Sequence, residues 1–202
     1  MRGTLIIVLK APVAGRVKTR LGAEIGYGRA AAMFRILTKR TIAEARKGGW
    51  RTVLAVDPPS AVHGAARFWP PHLPRIAQGR GDLGARMKRM FDVAPPGPVA
   101  IIGADAPGFR ARHACAAFDA LRGADAVFGP AKDGGYWLIG LARKRPAPEL
   151  FDGVRWSTKH ALKDTLKTLP QDFDVRMLET LRDVDEAGDL SEIGPLSCSA
   201  VR

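Results

Sequence analysis

Cysteine is nearly missing from this chain: Cys115 and Cys198 are the only two in 202 residues, and they form no CxxC pair. That excludes a disulfide framework and a thiolate zinc site. It leaves two reduced thiols, with Cys115 expected to pack inward from an Ala-rich helix. No apolar run approaches the ~20 residues of a membrane-spanning helix. The first such run is cut short by Lys10, too early for a signal-peptide core, so the expected location is cytoplasmic. The four histidines, His63, His72, His113 and His160, show no metal-ligand spacing. Acidic residues are in deficit, 20 Asp and Glu against 32 Lys and Arg, for a formal net charge of +12. Yet no block of five like charges occurs, and neither zinc-finger spacing nor an RNA-binding aromatic strand is found. Such an excess can mean nucleic acid, an anionic membrane surface or phosphorylated small molecules; spread along the whole chain, it reads first as a solubilising basic surface, with nucleic acid a minor alternative.

What the chain does have is alternation. Leu5–Leu9, Thr52–Val56, Arg75–Ala77, Pro98–Gly103 and Ala124–Gly129 read as short buried strands. Between them Ala30–Ala45, Leu83–Val93 and Arg112–Leu121 read as helices. On the first of these Met33, Ile36, Leu37, Ile42 and Ala45 are expected to face inward. This β-α order predicts an α/β fold, a three-layer, doubly wound, mostly parallel sheet in one domain over residues 1 to 202. Tyr136–Leu141 follows a Gly-Gly turn and is expected to run antiparallel, opening a small antiparallel C-terminal part. His160–Leu169 and Asp189–Ile193 read as helices and Val175–Leu178 as a weak strand.

In such sheets ligands sit beyond the carboxyl ends of the strands. The first of those ends carries Lys10, Arg16, Lys18 and Arg20 within eleven residues, around a turn shaped by Pro12 and Gly15. Walker A spacing is absent. The four cations nevertheless match di- or triphosphate oxygens, arginine by forked contacts and lysine as a point charge. Gly79–Gly84 fits GxGxxG and leaves a dinucleotide-dependent oxidoreductase open. Asp82 would put a carboxylate beside the pyrophosphate, however, and serves better as an N-terminal helix residue. Asp105 stands just past a buried strand, before a proline turn, where one carboxylate can hold Mg²⁺ together with substrate phosphates. Asp183 and Asp185 alternate onto one face of an extended segment and could complete such a site. Lys132–Trp137 places two glycines and two aromatics where a backbone can approach a ligand. Trp156-Ser157-Thr158 reads as a cap for the following helix. A basic binding module remains a further alternative.

Taken in order, KAPVAGRVKTRL, QGRGDLGARM, GADAP, KDGGYWLIGL, WST and DVD resemble the bacterial radical-SAM/selenodomain-associated transferase family, of nucleotide-diphospho-sugar transferase type. More distantly they are similar to phospholactate and molybdenum-cofactor guanylyltransferases. The resemblance covers residues 3 to 190 and implies a GT-A-like fold. It implies a nucleotide held by the Lys10–Arg20 loop, with Lys18 and Asp105 catalytic. Mg²⁺ or Mn²⁺ would sit on Asp105 with Asp185 or Asp183. Gln78, Gly81, Asp82, Asp133, Gly134, Gly135 and Tyr136 would line the base or acceptor side. The implied partners are a nucleoside triphosphate or nucleotide-sugar and a small-molecule acceptor. Nucleotidyl transfer to a phosphorylated small molecule is the first expectation, glycosyl transfer the second.

Overall fold

The computed structural model describes residues 3–64, 68–104, 106, 108–147 and 149–181. The elements in chain order are β1 (Thr4–Lys10), α1 (Thr19–Ile25), α2 (Tyr27–Ala45), β2 (Arg51–Asp57), α3 (Ala61–Gly64), β3 (Arg75–Ala77) and α4 (Leu83–Val93). They continue as β4 (Val99–Gly103), α5 (Ala111–Gly123), β5 (Ala126–Pro130), β6 (Tyr136–Leu141), α6 (Ala161–Lys167) and β7 (Val175–Met177). The seven strands form one sheet in the order β3-β2-β1-β4-β6-β5-β7. Neighbours run parallel except β6, which is antiparallel to both β4 and β5. The expected three-layer, mostly parallel architecture is observed.

Both faces of the sheet are covered, which is why β1, β2 and β4 are apolar almost throughout. Strand alternation sends Leu5, Ile7 and Leu9 into a core shared with Phe34, Ile42, Ala114 and Ala117 of α2 and α5. Ile6 enters the opposite core, with Met87, Met90 and Phe91 of α4 and with Leu150 and Phe151.

Several local expectations need correction. The helix α1 was not expected; Gly22 and its flanking charges hide a seven-residue turn that is pinned inside by Leu21. On α2 the inward stripe uses Phe34, Leu37, Thr38, Thr41 and Ile42, and Ile36 is 40% exposed. Cys115 faces solvent, because α5 turns His113, Ala114, Ala117 and Leu121 inward at helical spacing and Cys115 falls between them. The segment Asp189–Ile193 lies outside the described residues. Among the described residues no helix is long and apolar enough to cross a membrane.

A half-buried charge pair fastens the chain ahead of α6. The Arg155 guanidinium donates from Nε to Asp164 Oδ2 at 2.7 Å and from Nη2 to Oδ1 at 2.9 Å. This forked bond holds the Asp164 carboxyl down to about 2, from an ordinary 3.8. The folded value lies below the unfolded one. The pair's stabilisation is therefore present above about pH 4 and is lost as pH falls toward 2. Asp164→Asn should lower the melting temperature at neutral pH, with the deficit against wild type closing over that interval. Melting curves across pH check this; a deficit undiminished at acid pH would refute it.

Candidate active site

Because β1 to β4 run parallel, Lys10, Asp57, Ala77 and Gly103 end on one edge of the sheet. The antiparallel β6 restores the direction of β5, so the turn after Pro130 reaches the same edge. A cleft of about 870 Å³ opens there, within the range of small-ligand sites.

One wall is the segment after β1. Ala11 N–H donates to Asp57 O at 2.7 Å and Arg16 N–H to Val13 O at 3.0 Å, which curls the chain back. Gly15 sits at φ +77°, and a Cβ added there would meet nothing within 4 Å, so backbone conformation rather than space requires a glycine. Buried Val17 and Leu21 anchor the loop, and Lys18 takes a left-handed φ of 45° just ahead of α1. Lys10, Arg16, Lys18 and Arg20 all line the cleft. Among the described residues the side chains of Lys10, Arg16 and Arg20 have no hydrogen bond or ion pair. Like charges gathered on one loop repel one another, so the arrangement favours a polyanion. Pro12 is buried beneath the loop, and neither it nor Gly15 lines the cleft.

The second wall comes from the β3–α4 connection. Gln78 is 3% exposed; its Nε2 donates to Leu9 O at 2.9 Å and Ala55 O at 3.0 Å, tying β1 to β2. Its Oε1 accepts from Arg86 Nη1 at 3.3 Å, while Arg86 Nε donates to Gly81 O at 3.0 Å. Arg86 is thus a braced cation on the cleft. Asp82 caps α4, its Oδ1 accepting the Ala85 N–H at 2.8 Å, and it also lines the cleft with Gly81. The glycine run closes on its own helix. A Cβ at Gly79 would lie 2.3 Å from Arg89 Nη1, and Arg89 donates to Gln78 O and Arg80 O. Gly84 abuts Phe151 and Trp156. Of the three motif glycines, Gly81 alone lines the cleft.

The third wall joins Asp133 to Ser157, Thr158 and Lys159. Asp133 Oδ1 accepts the Gly135 N–H at 2.9 Å, and Leu162 N–H donates to Gly134 O at 3.1 Å. Thr158 Oγ1 donates to Arg155 O at 2.8 Å and accepts the His160 N–H at 3.2 Å, so it braces this turn, while α6 itself starts after His160 with no side-chain cap. Gly134, Gly135 and Tyr136 do not line the cleft. The Tyr136 hydroxyl points to Thr165 Oγ1 at 3.4 Å and its ring packs edge-on to Phe128, with burial pushing the hydroxyl up in pKa. Arg86 and Ser157–Lys159 are cleft residues that the sequence did not single out as such. The one available signal was WST, which reads equally well as a helix cap.

Asp105, Asp183 and Asp185 lie outside the described residues. Gly103 and Ala104 line the cleft, and Ala104 is fixed by its N–H to Val8 O at 3.1 Å and by Thr41 Oγ1 donating to its carbonyl at 3.0 Å. Among the described residues no group of three or more His, Cys, Asp or Glu could hold a metal. Asp82 and Asp133 each commit one oxygen to a backbone N–H.

Solved structures share this architecture. A Desulfovibrio desulfuricans G20 protein of the nucleotide-diphospho-sugar transferase type superimposes with a TM-score of 0.83 at 27% identity, over 99% of this chain and 90% of that one. Rv0371c of Mycobacterium tuberculosis H37Rv, solved in complex with manganese, follows at 0.60 and 16%, over 96% and 98%. The 2-C-methyl-D-erythritol 4-phosphate cytidylyltransferase of Thermus thermophilus follows at 0.55 and 17%, over 96% and 97%. No curated protein matches the chain in sequence. The fold and this likeness place the chain among transferases of the nucleotide-diphospho-sugar transferase superfamily. Within it, the chain belongs to the family described as "Uncharacterized protein conserved in bacteria (DUF2064)", which matches residues 41–158.

Proposed function

We propose that this protein transfers a nucleotidyl group from a nucleoside triphosphate to a phosphorylated small molecule. The observation that carries the reading is the set of cations on the opening loop, with Lys10, Arg16 and Arg20 unpaired among the described residues, at the carboxyl edge of a parallel sheet. An acceptor phosphate oxygen attacks the α-phosphorus in line. The bond from that phosphorus to the bridging β-phosphate oxygen breaks, and pyrophosphate leaves with the electron pair. Lys10, Arg16, Lys18 and Arg20 bind the β- and γ-phosphates and take up the charge that develops on the leaving group. Positioning and charge stabilisation are most of what such chemistry asks of a protein. Asp105, with Asp185 or Asp183, would hold Mg²⁺ or Mn²⁺, which when bound neutralises charge at the transferred phosphate.

Glycosyl transfer from a nucleotide-sugar is the second reading. It is favoured by the 27% identity to a protein of the nucleotide-diphospho-sugar transferase type. The same loop would then hold a leaving nucleoside diphosphate. A thermal-shift screen of nucleoside triphosphates and nucleotide-sugars, with and without Mg²⁺ or Mn²⁺, separates the two. Bound ligand adds RT ln(1 + [L]/Kd), about 2.7 kcal/mol at a hundredfold excess over Kd. A metal-dependent shift with a triphosphate is expected. A shift with nucleotide-sugars alone selects glycosyl transfer, and silence from both overturns the nucleotide reading.

A further inference from the structure

The cleft has cations on more than one wall. Four belong to the opening loop, enough to meet the charge of a polyphosphate tail. Lys159 arrives from elsewhere, after β6, and its side chain has no hydrogen bond or ion pair among the described residues. Ser157 beside it has an unpartnered hydroxyl among those residues, whereas the Thr158 hydroxyl is committed to Arg155 O and the His160 N–H. Ser157 is also strained, at φ +58°. Among the described residues four non-glycines take a left-handed φ, and two of them, Lys18 and Ser157, line this cleft from different walls. Strain of this kind persists only where surrounding structure enforces it, and it gathers at binding sites. Here the enforcement is visible. The backbone of Lys159 presses against Gly134 so closely that a Cβ there would lie 2.3 Å from Lys159 O, and Leu162 N–H holds Gly134 O. A cation and a hydroxyl unpartnered among the described residues, on a loop locked from behind, make a preorganised anion site.

We propose that Lys159 Nζ and Ser157 Oγ bind the phosphomonoester group of the acceptor, across the cleft from the donor loop. The inference rests on the nucleotide-transfer reading, and its test reads the two sites separately. The purified protein is labelled with an amine-reactive reagent and the rate at each lysine is read by mass spectrometry. The nucleotide that stabilises the protein most, with Mg²⁺, should protect Lys10 and leave Lys159 reactive. Inorganic phosphate added to this nucleotide-loaded protein should then slow labelling at Lys159 by about fivefold once it reaches about four times its Kd, following 1 + [L]/Kd. Lys163, on α6, is the internal reference and should not change. Ser157→Ala should weaken the phosphate protection of Lys159 without altering that of Lys10 by nucleotide. Loss of Lys10 protection would count against the donor reading alone. Protection of Lys159 by nucleotide without phosphate, or none by phosphate, overturns the acceptor subsite.

Discussion

Arg16→Ala/Arg20→Ala should weaken triphosphate binding by about 100-fold or more, from two charge-assisted hydrogen bonds worth about 1.5–3 kcal/mol each. The free protein should keep its stability within about 0.5 kcal/mol, because neither guanidinium has a partner to lose among the described residues. Relief of mutual repulsion acts in the stabilising direction. Lys18 is a poorer choice for this test, since it has an interaction within the fold and its backbone is left-handed. Isothermal titration with the preferred nucleotide, at two salt concentrations, provides the measurement. Affinity in the wild type should fall with ionic strength, and the double variant, which keeps Lys10 and Lys18, should show a clearly weaker dependence. Unchanged affinity in the variant would remove the opening loop from the donor site.

The second large effect concerns Gly134→Ala. The position sits at φ +87°, and a Cβ would lie 2.3–2.7 Å from the O, C and Cα atoms of Lys159. Two costs add. The left-handed backbone costs an L-residue about 1–2 kcal/mol, and overlap with a backbone that cannot swing away costs about 1–3 kcal/mol. A loss of about 2–5 kcal/mol is a large share of a typical stability of about 5–15 kcal/mol. Gly153→Ala is the matched control, with φ +67° and nothing within 4 Å, so it bears the conformational cost alone. Denaturant unfolding of both variants isolates the contact. Equal losses would show that Lys159 yields easily and would undercut the rigidity ascribed to its loop.

The sequence was informative where structure is local. The β-branched runs of β1, β2 and β4 announce strands buried on both faces, and Leu83–Val93 has the expected bounds because Asp82 caps it and Met87, Met90 and Phe91 repeat at helical spacing. The loops after the parallel strands could be placed on one rim from topology alone. Lys159 could not. Its arrival at the cleft depends on the β5–β6 reversal and on a return through residues 142–156 whose path no periodicity encodes. Arg86 was unreadable for a related reason, since its position is set by a glutamine eight residues earlier whose other end reaches β1 and β2. Cys115 shows the limit of composition, because an Ala-rich helix has more than one face that could turn inward.

The strand inserted between β4 and β5 also has a consequence for biosynthesis. β4 is complete at Gly103, but the partner on its outer side, β6, ends only at Leu141. At translation rates of about 5–20 residues per second, the nascent chain carries Val99–Ile102 as an unpaired apolar edge for roughly two to eight seconds. β5 cannot cover it, because β5 pairs with β6 and β7 rather than with β4. Until the hairpin emerges, that edge is a template for pairing with another chain, and ribosome pausing between Gly103 and Leu141 would lengthen the hazard.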